Sequence, residues 1–197
     1  MGISADRLKK KAAVFLDRDG TVIRQVELLT EISKVKILAG VAKAIKRFNK
    51  LGFLVITVSN QPVIARGLAS PKGIKKMDKV IVSRLLKQGA RIDDSYFCPH
   101  HPNATLKKYR KRCGCRKPGW GMLRQASRKW GINLKKSWMI GDAIIDVVTG
   151  KRAGTKTILV KTGPGHARLD KMYGTKPDFT AKNLPEAVKI IRQTASR

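Results

Sequence analysis

Short apolar runs alternate with longer amphipathic ones along most of this chain, and that rhythm constrains the fold more than any other feature. Residues 12–16, 53–58, 138–140 and 157–160 are compact apolar stretches, and 92–97 reads as a further strand. Strands buried on both faces look like this, without the alternation of a half-exposed sheet. Helical patterns lie between them. Residues 40–51 place apolar side chains at 41, 44, 45 and 48, the spacing of one helical face. Ser70 followed by Pro71 marks an N-cap and first turn, opening a helix that runs to about 88 and stops at Gly89. Residues 120–130, 143–152 and 184–194 supply the remaining helices, whereas 98–118 has no period and reads as a loop. The expectation is a single α/β domain spanning 1–197, with a mainly parallel sheet covered on both faces. In such folds ligands sit beyond the carboxyl ends of the strands.

Composition narrows the class. With 42% apolar residues the chain can bury a core, and no apolar run is long enough to span a membrane. Residues 1–10 carry basic side chains but no apolar core segment, so they do not read as a secretory signal. Three cysteines, an odd number, argue against a disulfide framework, and the cytoplasm is the expected compartment. The balance of 43 basic to 13 acidic residues, a formal charge of +30, favours anionic partners: nucleic acid, acidic lipid headgroups or phosphorylated metabolites. A merely solvated basic surface fits equally well. Nucleic acid is the weaker of the binding readings, because only three Tyr, three Trp and five Phe are present, too few to interleave with the basic runs as a stacking surface requires.

In so acid-poor a chain the placement of carboxylates is informative. Four of the 13 fall in two short segments, each directly after a predicted strand: Asp17-Arg18-Asp19-Gly20-Thr21, and Gly141-Asp142 with Asp146 four residues on. Two carboxylates at i and i+2 can divide nucleophilic and proton-transfer work on a phosphate ester. Their repulsion calls for a hard divalent cation such as Mg²⁺, to which Asp142 can add an oxygen ligand. Taken alone, Asp17 to Thr21 serves as well for a turn and cap with Gly20 supplying backbone freedom.

All three cysteines and two of the three histidines lie between 98 and 115. Cys98-Pro-His100-His101 and Cys113-Gly-Cys115 offer two ligand pairs spaced i, i+2, enough for a closed tetrahedral Zn²⁺. His100 is favoured over His101 because it pairs symmetrically with the Cys-x-Cys half. Buried structural cysteines or a redox pair are the alternatives. A zinc loop over about 98–117 would be structural, pinning Arg116 and Lys117 beside the aspartates.

Phe-Leu-Asp17-Arg-Asp19-Gly-Thr resembles the signature of the haloacid dehalogenase (HAD) superfamily of phosphotransferases. The resemblance implies a Rossmann-like three-layer α/β/α sandwich and Mg²⁺-dependent catalysis through an aspartyl-phosphate. Asp17 would be the nucleophile and Asp19 the general acid and then base, with Ser59 and Lys117 on the phosphoryl group. Mg²⁺ would be held at Asp17, Asp19, Asp142 and Ala143, with Asp146 orienting the loop. The cysteine–histidine loop, Ser59-Asn60-Gln61 and Ile64-Ala65-Arg66-Gly67 are in turn similar to the heptose bisphosphate phosphatases of that superfamily. That implies a capless, monomeric enzyme releasing the C7 phosphate of a small phosphorylated sugar. Gln25, Val26, Glu27, Leu28, Ser59, Asn60, Gln61, Pro62, Arg66, Arg116 and Lys117 would line the substrate, Arg116 reading the phosphate that stays behind. Histidinol-phosphate phosphatases share the zinc loop, but with a shorter spacer than His101 to Arg112. A nucleotide or polynucleotide end is a further candidate substrate. The segment 24–30 lacks the Asn, Asp and Gly-Tyr pattern of the heptose enzymes, and Pro62 and Ala143 also depart from it.

Overall fold

The computed structural model describes residues 11–167 and 173–195; residues 1–10, read above for a secretory signal, lie outside them. Six strands, β1 (Ala13–Leu16), β2 (Leu54–Asn60), β3 (Asp94–Cys98), β4 (Trp138–Gly141), β5 (Lys156–Val160) and β6 (Phe179–Ala181), form one sheet in the order β3-β2-β1-β4-β5-β6. Every pairing in it is parallel. The longer helices are α1 (Val41–Lys50), α3 (Pro71–Leu86), α4 (Gly121–Trp130), α5 (Ile144–Ala153) and α6 (Leu184–Ala195), and a single turn, α2 (Pro62–Ala65), follows β2.

The pleat of β1 divides the core. Val14 and Leu16 join the apolar stripes of α1, α3 and α6 on one face. Ala13 and Phe15 join Met122, Leu123 and Ala126 of α4 on the other. Burial of both faces is why these strands are uniformly apolar rather than alternating. The helix openings follow local chemistry: Ser70 Oγ accepts from the Gly73 N–H at 3.0 Å, capping α3.

Differences from the sequence reading have local causes. The strand read as 53–58 continues to Asn60, because Ser59 and Asn60 pair with Phe97 and Cys98 of β3. The strand read from 92 starts at Asp94; Asp93 instead turns its carboxylate to the Val55 N–H at 2.8 Å. β6 is only three residues long, too short for any period to show. Within the loop, Lys107–Tyr109 forms a 3₁₀ turn.

β1 pairs with β2 on one side and β4 on the other, with Leu16 level with Thr57 and Ile140. That register brings the segments following Leu16, Thr57 and Ile140 side by side at the carboxyl edge, where the connections diverge to opposite faces. At the amino edge the chain turns tightly through Gly52 before β2 and Gly154 before β5, and a Cβ at either would meet no atom within 4 Å. Among the described residues, no helix is long and apolar enough to cross a membrane.

Candidate active site

Asp17 leaves β1 with its N–H on the Ile140 carbonyl at 2.9 Å, so the backbone ladder itself carries it to the mouth of β4. Lys117 sits at the centre of what gathers there. Its Nζ lies 2.7 Å from Asp17 Oδ1 and 2.6 Å from Asp146 Oδ1, and it donates to the Val58 carbonyl at 3.2 Å. Only 3% of Lys117 is exposed. Oxygen atoms of Asp17, Asp142 and Asp146 all come within 4.8 Å of one another. Two carboxylate clusters more than a hundred residues apart thus share one buried ammonium.

Burial raises the Asp17 carboxyl to about 7; the Asp146 charge adds to the rise and Lys117 works against it. Burial likewise raises Asp142 to about 6, helped by the charge of Asp17. Burial also opposes the charge on Lys117, but Asp146 and Asp17 outweigh it and hold the ammonium above the ordinary lysine range. Carboxylates pushed up by burial and by one another's charge, with only oxygen to offer, make a donor set suited to a hard divalent cation.

Close backbone packing shapes the remainder. Gly20, at φ +87°, lies against Asp142, and a Cβ there would come within 2.6 Å of its carboxylate. After β5, the Thr162 hydroxyl donates to the Gly20 carbonyl at 2.6 Å and the Gly165 N–H to Asp142 Oδ2 at 3.2 Å. A Cβ at Gly163 would stand 2.1 Å from the same oxygen. Asp146 Oδ2 accepts from the Ala143 N–H at 3.2 Å, tying the start of α5 to the carboxylate that meets Lys117. Sequence reasoning missed the 162–165 segment; a strand followed by Thr-Gly-Pro-Gly was the signal that could have found it.

The expected site residues separate into groups. Asp17, Asp142 and Lys117 converge with Asp146. Asp19 lies outside this group of oxygens, its carboxylate held by Arg18 Nε at 3.1 Å and Gln61 Nε2 at 2.8 Å. Gln61 also donates to Ser59 Oγ at 3.1 Å. Asn60 grips the backbone of Lys117 with both ends of its amide, accepting from the N–H and donating to the carbonyl at 3.0 Å each. Read from sequence as substrate contacts, these two amides are engaged within the protein. Pro62 opens α2. Leu28, at φ 50°, packs against the apolar cluster of Val63, Ile64 and Ile74, and Val26 packs on the main core; Gln25 and Glu27 are exposed.

Cys98, His100, Cys113 and Cys115 form a second potential metal group, their ligand atoms within 4.8 Å of one another. His101 is not part of it, its Nδ1 accepting from the Asn103 N–H at 3.1 Å. A hydrogen bond from Cys98 lowers the Cys115 thiol to about 5, while the same contact and burial drive Cys98 upward. The arrangement thus favours the thiolate at Cys115, the form a metal ligand takes. Arg116, the residue after Cys115, donates Nη1 to the His100 carbonyl at 3.1 Å. Burial lowers its guanidinium, and the nearby charge of Arg66 lowers it further. Among the described residues no ion pair involves either arginine.

A parallel sheet that collects three carboxylates and a lysine at its switch point is the architecture of a HAD-type phosphohydrolase. The HAD-hydrolase-like family model matches residues 114–187. A D-glycero-beta-D-manno-heptose-1,7-bisphosphate 7-phosphatase from Photorhabdus laumondii is 37% identical over 184 residues, covering 92% of this chain and 97% of that protein. A D-glycero-D-manno-heptose-1,7-bisphosphate 7-phosphatase from Chlorobaculum tepidum is 34% identical over 198 residues, covering 96% and 100%. The crystal structure of a D,D-heptose 1,7-bisphosphate phosphatase from B. bronchiseptica, complexed with magnesium and phosphate, superposes with a TM-score of 0.81 at 26% identity, covering 93% of this chain and 99% of that one. This chain belongs to the heptose-1,7-bisphosphate 7-phosphatase family of HAD-like hydrolases.

Proposed function

We propose that this chain is a Mg²⁺-dependent phosphatase that removes the C7 phosphate of D-glycero-D-manno-heptose 1,7-bisphosphate. The observation that carries the reading is the convergence of Asp17 and Asp146 on Lys117, with Asp142 grouped beside them, at the carboxyl edge of β1 and β4. In the first step an Asp17 carboxylate oxygen attacks phosphorus and the P–O bond to the sugar breaks. The leaving oxygen takes a proton from Asp19. In the second, Asp19 takes a proton from water as the water oxygen attacks phosphorus. The bond to Asp17 then breaks, releasing inorganic phosphate and regenerating both carboxyl groups.

Lys117 holds Asp17 in place and offsets phosphoryl charge, and the Ser59 hydroxyl, already accepting from Gln61, has its hydrogen to donate to a phosphoryl oxygen. Asp17 and Asp142 would hold Mg²⁺, whose role is to neutralise the phosphoryl oxygens. Asp19, whose carboxylate is engaged by Arg18 and Gln61, and Ala143 would complete the surroundings of the ion. Cys98, His100, Cys113 and Cys115 would hold a structural Zn²⁺ that fixes the approach of Lys117. Arg116 and Arg66, close together and without carboxylate partners among the described residues, suit the phosphate that remains on the sugar.

Incubation with Mg²⁺ and each anomer of heptose 1,7-bisphosphate should release one phosphate per sugar, and Asp17→Asn should stop it. Release that persists in Asp17→Asn refutes the nucleophile. Faster turnover of histidinol phosphate or a nucleotide in the same panel refutes the sugar. Elemental analysis should find about one zinc per chain.

A further inference from the structure

Helix α3 carries one acidic residue, and it is on the wrong face for a surface charge. Ile74, Met77, Ile81 and Leu85 form the buried stripe of the helix, and Asp78 lies within it, 8% exposed. A carboxylate in that position is costly unless it is paired. Its partner is Arg18, the residue between the two signature aspartates, which is 2% exposed. Arg18 Nη1 donates to Asp78 Oδ1 at 2.9 Å. The opposite edge of the same guanidinium embraces Asp19, with Nε 3.1 Å and Nη2 2.9 Å from Oδ2 and Nη2 3.2 Å from Oδ1.

We infer that Asp78 is a positioning residue for phosphoryl transfer, holding Arg18 so that its planar fork fixes the carboxylate of Asp19. The inference rests on the acid–base reading of Asp19 given above. A guanidinium gripped on one edge only can swing about its long side chain; gripped on both, it is a rigid bracket. The chain of contacts then runs Asp78, Arg18, Asp19, Gln61, Ser59, from α3 across the end of β1 to the end of β2. A pin for α3 alone would not need this arrangement. The helix already buries four apolar side chains, and a leucine among them would serve packing as well as a buried ion pair or better.

The test compares two kinds of ester. A sugar phosphate leaves as an alkoxide that needs the proton of Asp19, whereas p-nitrophenyl phosphate leaves as a stable phenolate that does not. With the full-length Mg²⁺-loaded protein, Asp78→Asn should lower kcat on heptose 1,7-bisphosphate by about tenfold or more with KM within about twofold. The ratio of that rate to the p-nitrophenyl burst should fall by about the same factor. Asp78→Leu, which suits the apolar stripe, should show the same selective loss. In an Asp19→Asn background, adding Asp78→Asn should change the p-nitrophenyl burst by less than about twofold. Equal losses on both esters, a rise in KM alone, wild-type rates, or failure of both variants to fold would each overturn the positioning role. If Asp19→Asn itself turns over the sugar phosphate normally, the fault lies in the acid–base assignment, not in the link from Asp78.

Discussion

Replacing Lys117 by Met keeps most of the side chain's bulk and removes only the charge that Asp17 and Asp146 share. Both carboxylates lie within 2.7 Å of Nζ, and the lysine side chain is 2% exposed. Removing one partner from a buried ion pair costs about 3–5 kcal/mol. A second route gives the same size. The folded variant can relieve the repulsion by keeping one carboxyl protonated, and holding a group of reference pKa ~3.9 neutral at pH 7 costs about 4 kcal/mol at ~1.4 kcal/mol per pH unit. The sign follows from linkage. A carboxyl whose folded pKa lies above its unfolded value contributes stability that is complete below pH ~4 and lost as pH rises through the folded value. Asp17, raised to about 7, already makes the parent protein lose stability between pH ~4 and ~7. Without the lysine, the loss continues to higher pH. In Mg²⁺-free buffer the variant should therefore melt about 10 °C below the parent at pH 8, at roughly 2–4 °C per kcal/mol for a domain of this size. The gap should nearly close at pH 4.5. Thermal unfolding followed by circular dichroism at the two pH values reads it out. An equal gap at both, or none at pH 8, would show that the buried charges are not coupled as described.

Other perturbations are narrower. Asn60→Ala removes both hydrogen bonds to the Lys117 backbone and should cost about 2 kcal/mol in urea unfolding while lowering kcat; unchanged kcat would mean that Lys117 needs no such clamp. Gly163→Ala places a methyl group against Asp142 Oδ2, so activity should fall about tenfold or more in a folded protein, and a wild-type Mg²⁺ dependence would contradict the close approach. The Thr21 hydroxyl is buried and has no hydrogen-bond partner among the described residues, so Thr21→Val should stabilise by about 1 kcal/mol. A loss of stability in that variant would reveal a partner for the hydroxyl.

What the sequence disclosed, and what it withheld, divides along physical lines. Asp17 and Asp142 were legible because each follows a doubly buried strand, and a polar residue there has nowhere to go but the carboxyl edge. The cysteine–histidine loop was legible because ligand spacing is local. The amides of Asn60 and Gln61 were not: an amide beside a site can face the ligand or brace a neighbour, and only the fold decides which. Asp78 drew no reading from the sequence, because its partner is 60 residues away. Residues 25–28 lie at the expected point in the chain, yet Val26 and Leu28 spend their side chains on packing. β6 had too few residues to announce itself.

The tight amino-edge turns at Gly52 and Gly154 have a bearing on how such a chain can change. Chemistry hangs from one rim of the sheet, while the turns at Gly52 and Gly154 on the far rim are bordered by open space. Insertions, affinity tags or fused modules placed at that silent rim should leave turnover intact, and stabilising substitutions there face no conflict with activity. Diversification of the scaffold can proceed from behind, without disturbing the hand that does the work.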